Sequence, residues 1–407
     1  MLKTSESLFT GKIRRLEPSM ITKMQALGNR WNALSFTAGQ PSSDLYPLEG
    51  LQASFARSLG NADLLPYSPY NGGYPKLRQW IVQWMRDDGL VPDWVTEDQV
   101  MLIEGAQEGI HLAAEAFIEL GDGIVVESPT YTEALCTFRR QGASIFQVAM
   151  DDEGIIPHDL ERVLSVAGQV KFLYTVVNFQ NPSGCTTTDT RKKEILALVR
   201  RYGTIILEDD PYRHLRYEGE HQGSYMALAG NGMDVIYLGS FSKIIAPGLR
   251  VGWMVTPPKM IQPLVDLQAS SNSSLPAVNQ YAVWDFMSNQ DVNAYLEPLK
   301  NVYRERRDAL AQALRDECAP LGLEFVTPNG GFFLWGQIPW LDDDLRFARY
   351  VVEHEQVALL PGSVFFADPS QGLGTLRFSF AQSSPENSKE GTQRLARAMK
   401  AYRDSIK

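Results

Sequence analysis

The sequence predicts an α/β fold, a mostly parallel seven-stranded doubly wound sheet followed by a smaller α+β domain. Three observations predict it. Apolar runs of strand length recur from Val100 onward, at residues 100–103, 123–127, 144–148, 170–176, 204–208, 235–238 and 251–255, separated by stretches of helical character. The runs are apolar on consecutive positions, as strands covered by helices on both faces require. The chain of 407 residues is also long enough for one large and one small core.

Composition narrows the class. Hydrophobic residues make up 44% and charged residues 21%, the balance of a globular chain in water. With 38 basic against 48 acidic residues the net charge is −10, which weighs against nucleic-acid affinity and against an anionic membrane surface. Cys136, Cys185 and Cys318 are widely spaced and form no C-x-x-C, so free thiols in a reducing cytoplasm are expected. The N-terminus, with Lys3, Glu6, Lys12, Arg14 and Arg15, lacks the apolar stretch of a secretory signal, and no run is long enough to span a membrane. His111, His158, His214, His221 and His354 show no ligand spacing, so no metal site is expected. The dinucleotide fingerprint and the P-loop are both absent.

Taken in order, residues 35–41 form a turn-rich segment with Gly39, Gln40 and Pro41, where a glycine lets backbone approach a ligand. Pro66, Pro69, Asn71, Gly72, Gly73 and Pro75 mark a loop containing Tyr67 and Tyr70, before an amphipathic stretch at 77–85. After the strand at 100–103, Gly105, Ala106 and Gln107 precede a helical run at 108–120; free N–H groups at such a helix start suit a phosphate. Tyr131 follows the strand at 123–127, and Asn181 sits in an Asn-Pro turn after the strand at 170–176. Glu208, Asp209 and Asp210 end the next strand, three carboxylates that are hard to explain as core, with Tyr212 close behind; for Asp210 a helix-capping role is expected. Residues 280–318 read as mainly helical, with Leu296, Leu299, Tyr303, Leu310 and Leu314 on one stripe, and 330–335 as a buried turn and strand. Arg377 is flanked by apolar residues, where a planar guanidinium suits a carboxylate held by two bonds.

The segment 239–253 concentrates the chemistry. Lys243 follows an apolar strand, and an ammonium there loses hydration, its pKa falls and it becomes a better nucleophile toward a carbonyl. Arg250, past Pro247 and Gly248, stays charged and can hold a phosphate with Ser240 and Ser242. A Schiff-base lysine beside a phosphate site points to pyridoxal 5′-phosphate. Two other readings of the stretch are a lysine that simply reaches water and the S-x-x-K pair of serine acyl-enzymes, although no K-T-G follows.

Residues 242–252 resemble the lysine motif of the class I and II pyridoxal-phosphate aminotransferases of fold type I, in particular the branch of 2-aminoadipate and aromatic aminotransferases and the effector domains of MocR-type regulators. Matching motifs follow in the family's order from about Ser35 to Arg377. The resemblance implies cofactor contacts from Gly105, Ala106, Gln107, Tyr131, Asn181, Asp209, Tyr212, Ser240, Ser242, Lys243 and Arg250, with Tyr67 or Tyr70 crossing to a partner subunit's phosphate. Lys243, Asp209 and Tyr212 would be catalytic, Asp209 by pairing with the pyridine nitrogen. Arg377 would take the substrate carboxylate, with Gly39, Gln40, Asn181 and Tyr70 around the substrate. It further implies a homodimer with shared active sites, amino-acid and 2-oxo-acid substrates, and a division into an N-terminal segment at 1–45 lying with the small domain, a cofactor-binding domain at 46–290, and a connecting helix with the small domain at 291–407.

Three functions follow. The first is an aminotransferase acting on an α-amino acid through Lys243. The second keeps the cofactor and changes the reaction to β- or γ-elimination, replacement, cyclisation or carbon–carbon bond formation, decided by loops around Gln40, Tyr70 and Asn272. The third is a MocR-type binding module, disfavoured by the net charge and by the short stretch before Ser35. Arg14 and Arg15 are candidates to meet a second acidic group on the substrate.

Overall fold

The structure is a computed structural model that describes residues 8–230 and 235–406; Lys3 and Glu6 lie outside the described residues. Its strands in chain order are β1 (Leu34–Ser35), β2 (Val100–Ile103), β3 (Gly123–Ser128), β4 (Ser144–Asp151), β5 (Gly154–Ile155), β6 (Val170–Val176), β7 (Ile205–Asp209), β8 (Val235–Ser240), β9 (Gly252–Val255), β10 (Glu324–Val326), β11 (Phe333–Gln337), β12 (Val357–Ala358), β13 (Leu360–Pro361) and β14 (Thr375–Ser379).

The large sheet runs β2-β9-β8-β7-β6-β3-β4-β5. It contains the seven expected strands, and the two-residue β5 adds an eighth by folding back antiparallel on β4. Only β9 among the seven runs against its neighbours, pairing antiparallel with both β2 and β8. Val100, Met101, Leu102 and Ile103 are all buried, as are the residues of β8 from Val235 to Leu238, because helices cover both faces. The four adjacent strands β8, β7, β6 and β3 are mutually parallel, so their C-terminal ends open on one side of the sheet. Along this edge the chain leaves β3 toward β4 and leaves β6 toward β7, in opposite directions, and a crevice forms where the connections diverge.

The second sheet runs β10-β11-β14-β13 and is antiparallel throughout. Arg377 lies on its β14, opposite Trp335 of β11 and Leu360 of β13. Between the sheets, the expected single helical stretch is divided into Ala277–Ser288 and Val292–Glu317. The break is chemical: the Asp291 carboxylate accepts from the N–H groups of Asn293 and Ala294 and starts a new helix. The second helix buries Leu296, Leu299, Tyr303, Leu310 and Leu314, the stripe read from the sequence.

The N-terminal part of the chain joins this C-terminal sheet region. Strand β1 pairs in parallel with β12, and the Phe36 N–H donates to Ala358 O at 2.7 Å. Gly28 in the helix Met20–Arg30 makes that approach possible, since a Cβ there would lie 2.9 Å from the Cβ of Ala358. Arg14 and Arg15, by contrast, donate to the carbonyls of Phe9 and Arg140.

One close contact ties the sheet to the crevice. A Cβ on Gly252 would lie 2.8 Å from Gly239 O and 3.0 Å from the Cα of Gly105. Both obstacles are backbone, which cannot rotate aside. Gly252→Ala is therefore expected to lower stability by about 1–3 kcal/mol, since the Gly105 turn must shift to make room. Thermal unfolding of the variant measures it.

Candidate active site

The polar clusters at the strand ends converge on one cavity. It is a cavity of about 130 Å³, partly open to solvent. Its wall includes Ala106 and Gln107 after β2, Tyr131 after β3, Asn181 after β6, Asp209 and Tyr212 at and after β7, and Ser240, Ser242, Lys243 and Arg250 after β8. Ile110, Val176, Pro211 and Pro247 supply its apolar surface.

One end of the cavity collects donors for an anion. The helix Ala106–Phe117 begins here, three residues short of the expected C-terminal end, with Gly105 at its N-cap at φ +80°. A side chain at Gly105 would meet the Arg250 guanidinium at 3.0 Å, so backbone and arginine crowd one spot. Arg250 itself adopts φ +52°, in the left-handed region that a non-glycine residue seldom occupies. Its guanidinium is aimed by the carbonyls of Pro247, at 3.4 Å, and Glu104. Ser240 Oγ accepts from the Ser242 N–H at 3.1 Å, and both serines line the same end.

At the floor, Asp209 is buried with one oxygen engaged and one free. Tyr174 Oη donates to Oδ2 at 2.8 Å, while Oδ1 has no hydrogen-bond partner. Burial pushes the Asp209 carboxyl up to about 7, against the Tyr174 hydrogen bond and the nearby Lys243, with Asp210 adding to the rise. Asp210, expected as a cap, is instead a buried acceptor for Asn178 Nδ2 at 2.8 Å and Tyr237 Oη at 3.2 Å.

Lys243 projects into the cavity from the short helical turn Phe241–Lys243. Its Nζ donates to Gly39 O at 2.8 Å and lies 5.7 Å from the centre of the Tyr212 ring. Desolvation lowers its pKa to about 8; Asp209 opposes the drop, and Arg377 and Arg250 reinforce it. The sequence argument for an activated amine thus has a physical counterpart.

Arg377 is fully buried. Nη1 donates to Asn181 Oδ1 at 2.8 Å and Nη2 to Thr37 O at 2.7 Å, while Nε has no partner. The guanidinium is packed 4.1 Å from the centre of Phe333 and 5.1 Å from that of Phe365. With its oxygen taken by Arg377, Asn181 turns its NH2 end toward Tyr212. Tyr131 borders the cavity from the N-cap of the helix Thr132–Gln141, and Tyr212 packs edge-on against Phe332 and Phe333.

Not every expected residue meets there. Gln40 is exposed and does not line the cavity. Tyr67 is 86% exposed and Tyr70 39%, the latter packed on Tyr74; neither lines the cavity within one chain. Asn272 donates to Glu108 at 3.4 Å, in a neighbouring cleft that also touches Gln107, Tyr131 and Arg250. Four further residues shape the site without having been singled out. Tyr174 and Thr37 hold Asp209 and Arg377. Gln180 donates to Glu127 at 3.0 Å and to Pro129 O at 2.7 Å, joining the Tyr131 loop to the Asn181 turn. Glu127, itself raised to about 7 by burial, is satisfied by Gln180, Thr175 and the Val176 N–H.

The residues fit pyridoxal phosphate on grounds internal to the structure: an orphaned buried carboxylate oxygen for a cationic ring nitrogen, an activated amine for the aldehyde, and a helix start, two hydroxyls and a guanidinium for the phosphate. Comparison with known proteins agrees. Residues 33–395 match the family model for aminotransferase class I and II, and the chain belongs to that family. It is 34% identical to the 2-aminoadipate transaminase of Thermus thermophilus, covering 95% of each chain. It is 33% identical to aromatic-amino-acid aminotransferase 1 of Thermococcus litoralis, covering 97% of this chain and 94% of that one. The fold superposes on the α-aminoadipate aminotransferase of Thermus thermophilus, complexed with N-(5′-phosphopyridoxyl)-L-leucine, with a TM-score of 0.90, 32% identity and coverage of 99% and 100%. The protein is a pyridoxal-phosphate-dependent aminotransferase of fold type I that acts on amino acids, and elimination, replacement, cyclisation or carbon–carbon bond formation is not favoured.

In the cofactor-free protein, Lys243 should react with an acylating reagent with a midpoint near pH 8, not near the ordinary lysine value of 10.5. The sign follows from the lowered pKa: the neutral, reactive amine prevails once pH exceeds the midpoint. Peptide mass mapping across pH measures it.

Proposed function

We propose that the substrate is an α-amino acid whose carboxylate is taken by Arg377 and whose amino group is transferred to a 2-oxo acid. The observation that carries this reading is the free Oδ1 of Asp209 in the same cavity as a deprotonatable Lys243 and close to the buried, half-satisfied Arg377. When bound, pyridoxal phosphate supplies an electron sink for the electrons released at the substrate α-carbon. The chain does the rest. Asp209 would hold the ring nitrogen through its unpartnered Oδ1, Asn181 and Tyr212 would serve the ring's phenolic oxygen, and Tyr131 would border the ring. Gly105, Ala106, Gln107, Ser240, Ser242 and Arg250 bind the phosphate. Lys243 Nζ, an amine whose charged form is disfavoured by burial, would take and return the substrate's α-proton.

Arg377 keeps donors unspent by Asn181 and Thr37, Nε among them, for a carboxylate, a strong charge-assisted acceptor. Among the described residues, Lys243 and Arg250 are the cations on the cavity wall, and Arg14 and Arg15 are turned elsewhere. Together with Tyr131, Tyr212 and Phe333 nearby, this supports preference for an uncharged, large or aromatic side chain, an activity also carried in the name of the Thermococcus litoralis relative.

The same reading includes a homodimer. Exposed Tyr67 and Tyr70 follow exposed Leu65 and, at the end of the helix Leu48–Leu59, exposed Leu59, and this apolar content favours a second copy. It also includes the division at 45 and 290, supported by the pairing of β1 with β12 and by the helix starting at Val292. Three cysteines without disulfides fit a cytoplasmic enzyme. No helix among the described residues is long and apolar enough to cross a membrane.

Lys243→Ala should abolish turnover and the visible absorbance of the bound cofactor, whereas Arg377→Ala should raise KM about ten- to a hundredfold, the worth of one charge-assisted contact. A panel of amino acids followed by absorbance and mass spectrometry should show conversion to 2-oxo acids, fastest with aromatic side chains. Release of a side-chain leaving group instead would overturn the assignment. Sedimentation at micromolar concentration should give twice the chain mass.

A further inference from the structure

Asp209 is positioned by one phenol. Tyr174 lies on β6 and Asp209 on the neighbouring parallel β7; Val176 pairs with Asp209 and Tyr174 with Leu207, so the tyrosine sits diagonally behind the carboxylate on the same face of the sheet. Its hydroxyl reaches Oδ2 at 2.8 Å, and among the described residues it is the only side chain hydrogen-bonded to Asp209. The ring is fully buried and held edge-on by Phe138, with centres 5.5 Å apart at 71°, so the hydroxyl has little freedom to turn away. A strand interior of Phe172, Leu173 and Val176 has no packing need for a hydroxyl, which is costly to bury without a partner.

We propose that Tyr174 is a positioning residue for the reaction: its hydroxyl fixes Oδ2 of Asp209, presents Oδ1 alone to the cofactor's ring nitrogen and, as a donor, favours the carboxylate form. The proposal rests on the role given above to Asp209. Its electrostatic part follows from the surroundings. Burial and Asp210 favour the neutral acid, Glu127 adds like charge from β3, and Tyr131 and Tyr212 face the group as neutral phenols; Lys243 and Tyr174 are the two that favour the anion. A protonated Asp209 cannot stabilise a cationic ring nitrogen, so loss of the phenol donor weakens the sink without touching substrate.

The test compares holoenzymes of wild type, Tyr174→Phe, Asp209→Asn and the double variant by two readouts, the pH midpoint of the bound cofactor's visible absorbance and the cofactor dissociation constant. Tyr174→Phe should move the midpoint in the same direction as Asp209→Asn and weaken cofactor binding by about tenfold. The double variant should be no worse than Asp209→Asn alone, because Tyr174 acts through that carboxylate. Unchanged readouts in Tyr174→Phe, or effects that add in the double variant, would overturn the proposal. If Asp209→Asn itself leaves both readouts at wild-type values, the role of Asp209 fails first and this inference with it. Site-specific 3-fluorotyrosine at position 174, a more acidic phenol of nearly the same shape, should move the midpoint the opposite way. Absence of any movement there overturns the proposal even if Tyr174→Phe does not fold.

Discussion

The structure depends on holding opposite charges out of water within one crevice. Lys243, Asp209 and Arg377 are each expensive to bury alone. Each is tolerated because polar groups from different parts of the chain are fixed around it: Gly39 O for the lysine, Tyr174 for the aspartate, Asn181 and Thr37 for the arginine. These satisfactions are incomplete. One carboxylate oxygen and the Arg377 Nε have no partner, and incompleteness at those atoms leaves capacity for a ligand.

The scaffold explains how such groups come together. Parallel strands β8, β7, β6 and β3 deliver their ends to one edge, so four loops far apart in sequence share a wall. Gly252 lets β9 approach the Gly105 turn, and the left-handed Arg250 turns the guanidinium back toward the helix start. A second clasp, Glu127 with Gln180, sets the distance between the loop of Tyr131 and the turn of Asn181. Local strain and tight glycine packing thus concentrate around the crevice.

Much of this was legible in the sequence because it is written locally. Apolar runs ending in Gly105–Gln107, Asp209 or Ser240–Lys243 combine a strand signal with residues that a core does not want. The limits of the seven main strands of the large sheet were likewise close, whereas β1, β5, β10, β12 and β13, two or three residues each, are too short for a periodic signal. Tyr174 escaped because tyrosine is an ordinary strand former, and only its neighbour on β7 gives the hydroxyl a task. Thr37 escaped for another reason: it acts through its backbone carbonyl, which every residue possesses. Asp291 divided an otherwise continuous helical stretch by capping, a signal outweighed by the apolar stripe around it. The exposure of Gln40 and Tyr67 depends on tertiary placement that no local pattern encodes.

The short pairing of β1 with β12 has a mechanical consequence. The Phe36 N–H is bonded to Ala358 and its carbonyl to the Ser379 N–H, so the strand ahead of Thr37 and Gly39 is stitched into the sheet that bears Arg377. The carbonyl resting on Lys243 and the guanidinium beneath it are therefore carried by one rigid plate. Displacement of that plate would uncover the amine and relocate the carboxylate grip in a single stroke, linking readiness for the incoming substrate to its orientation.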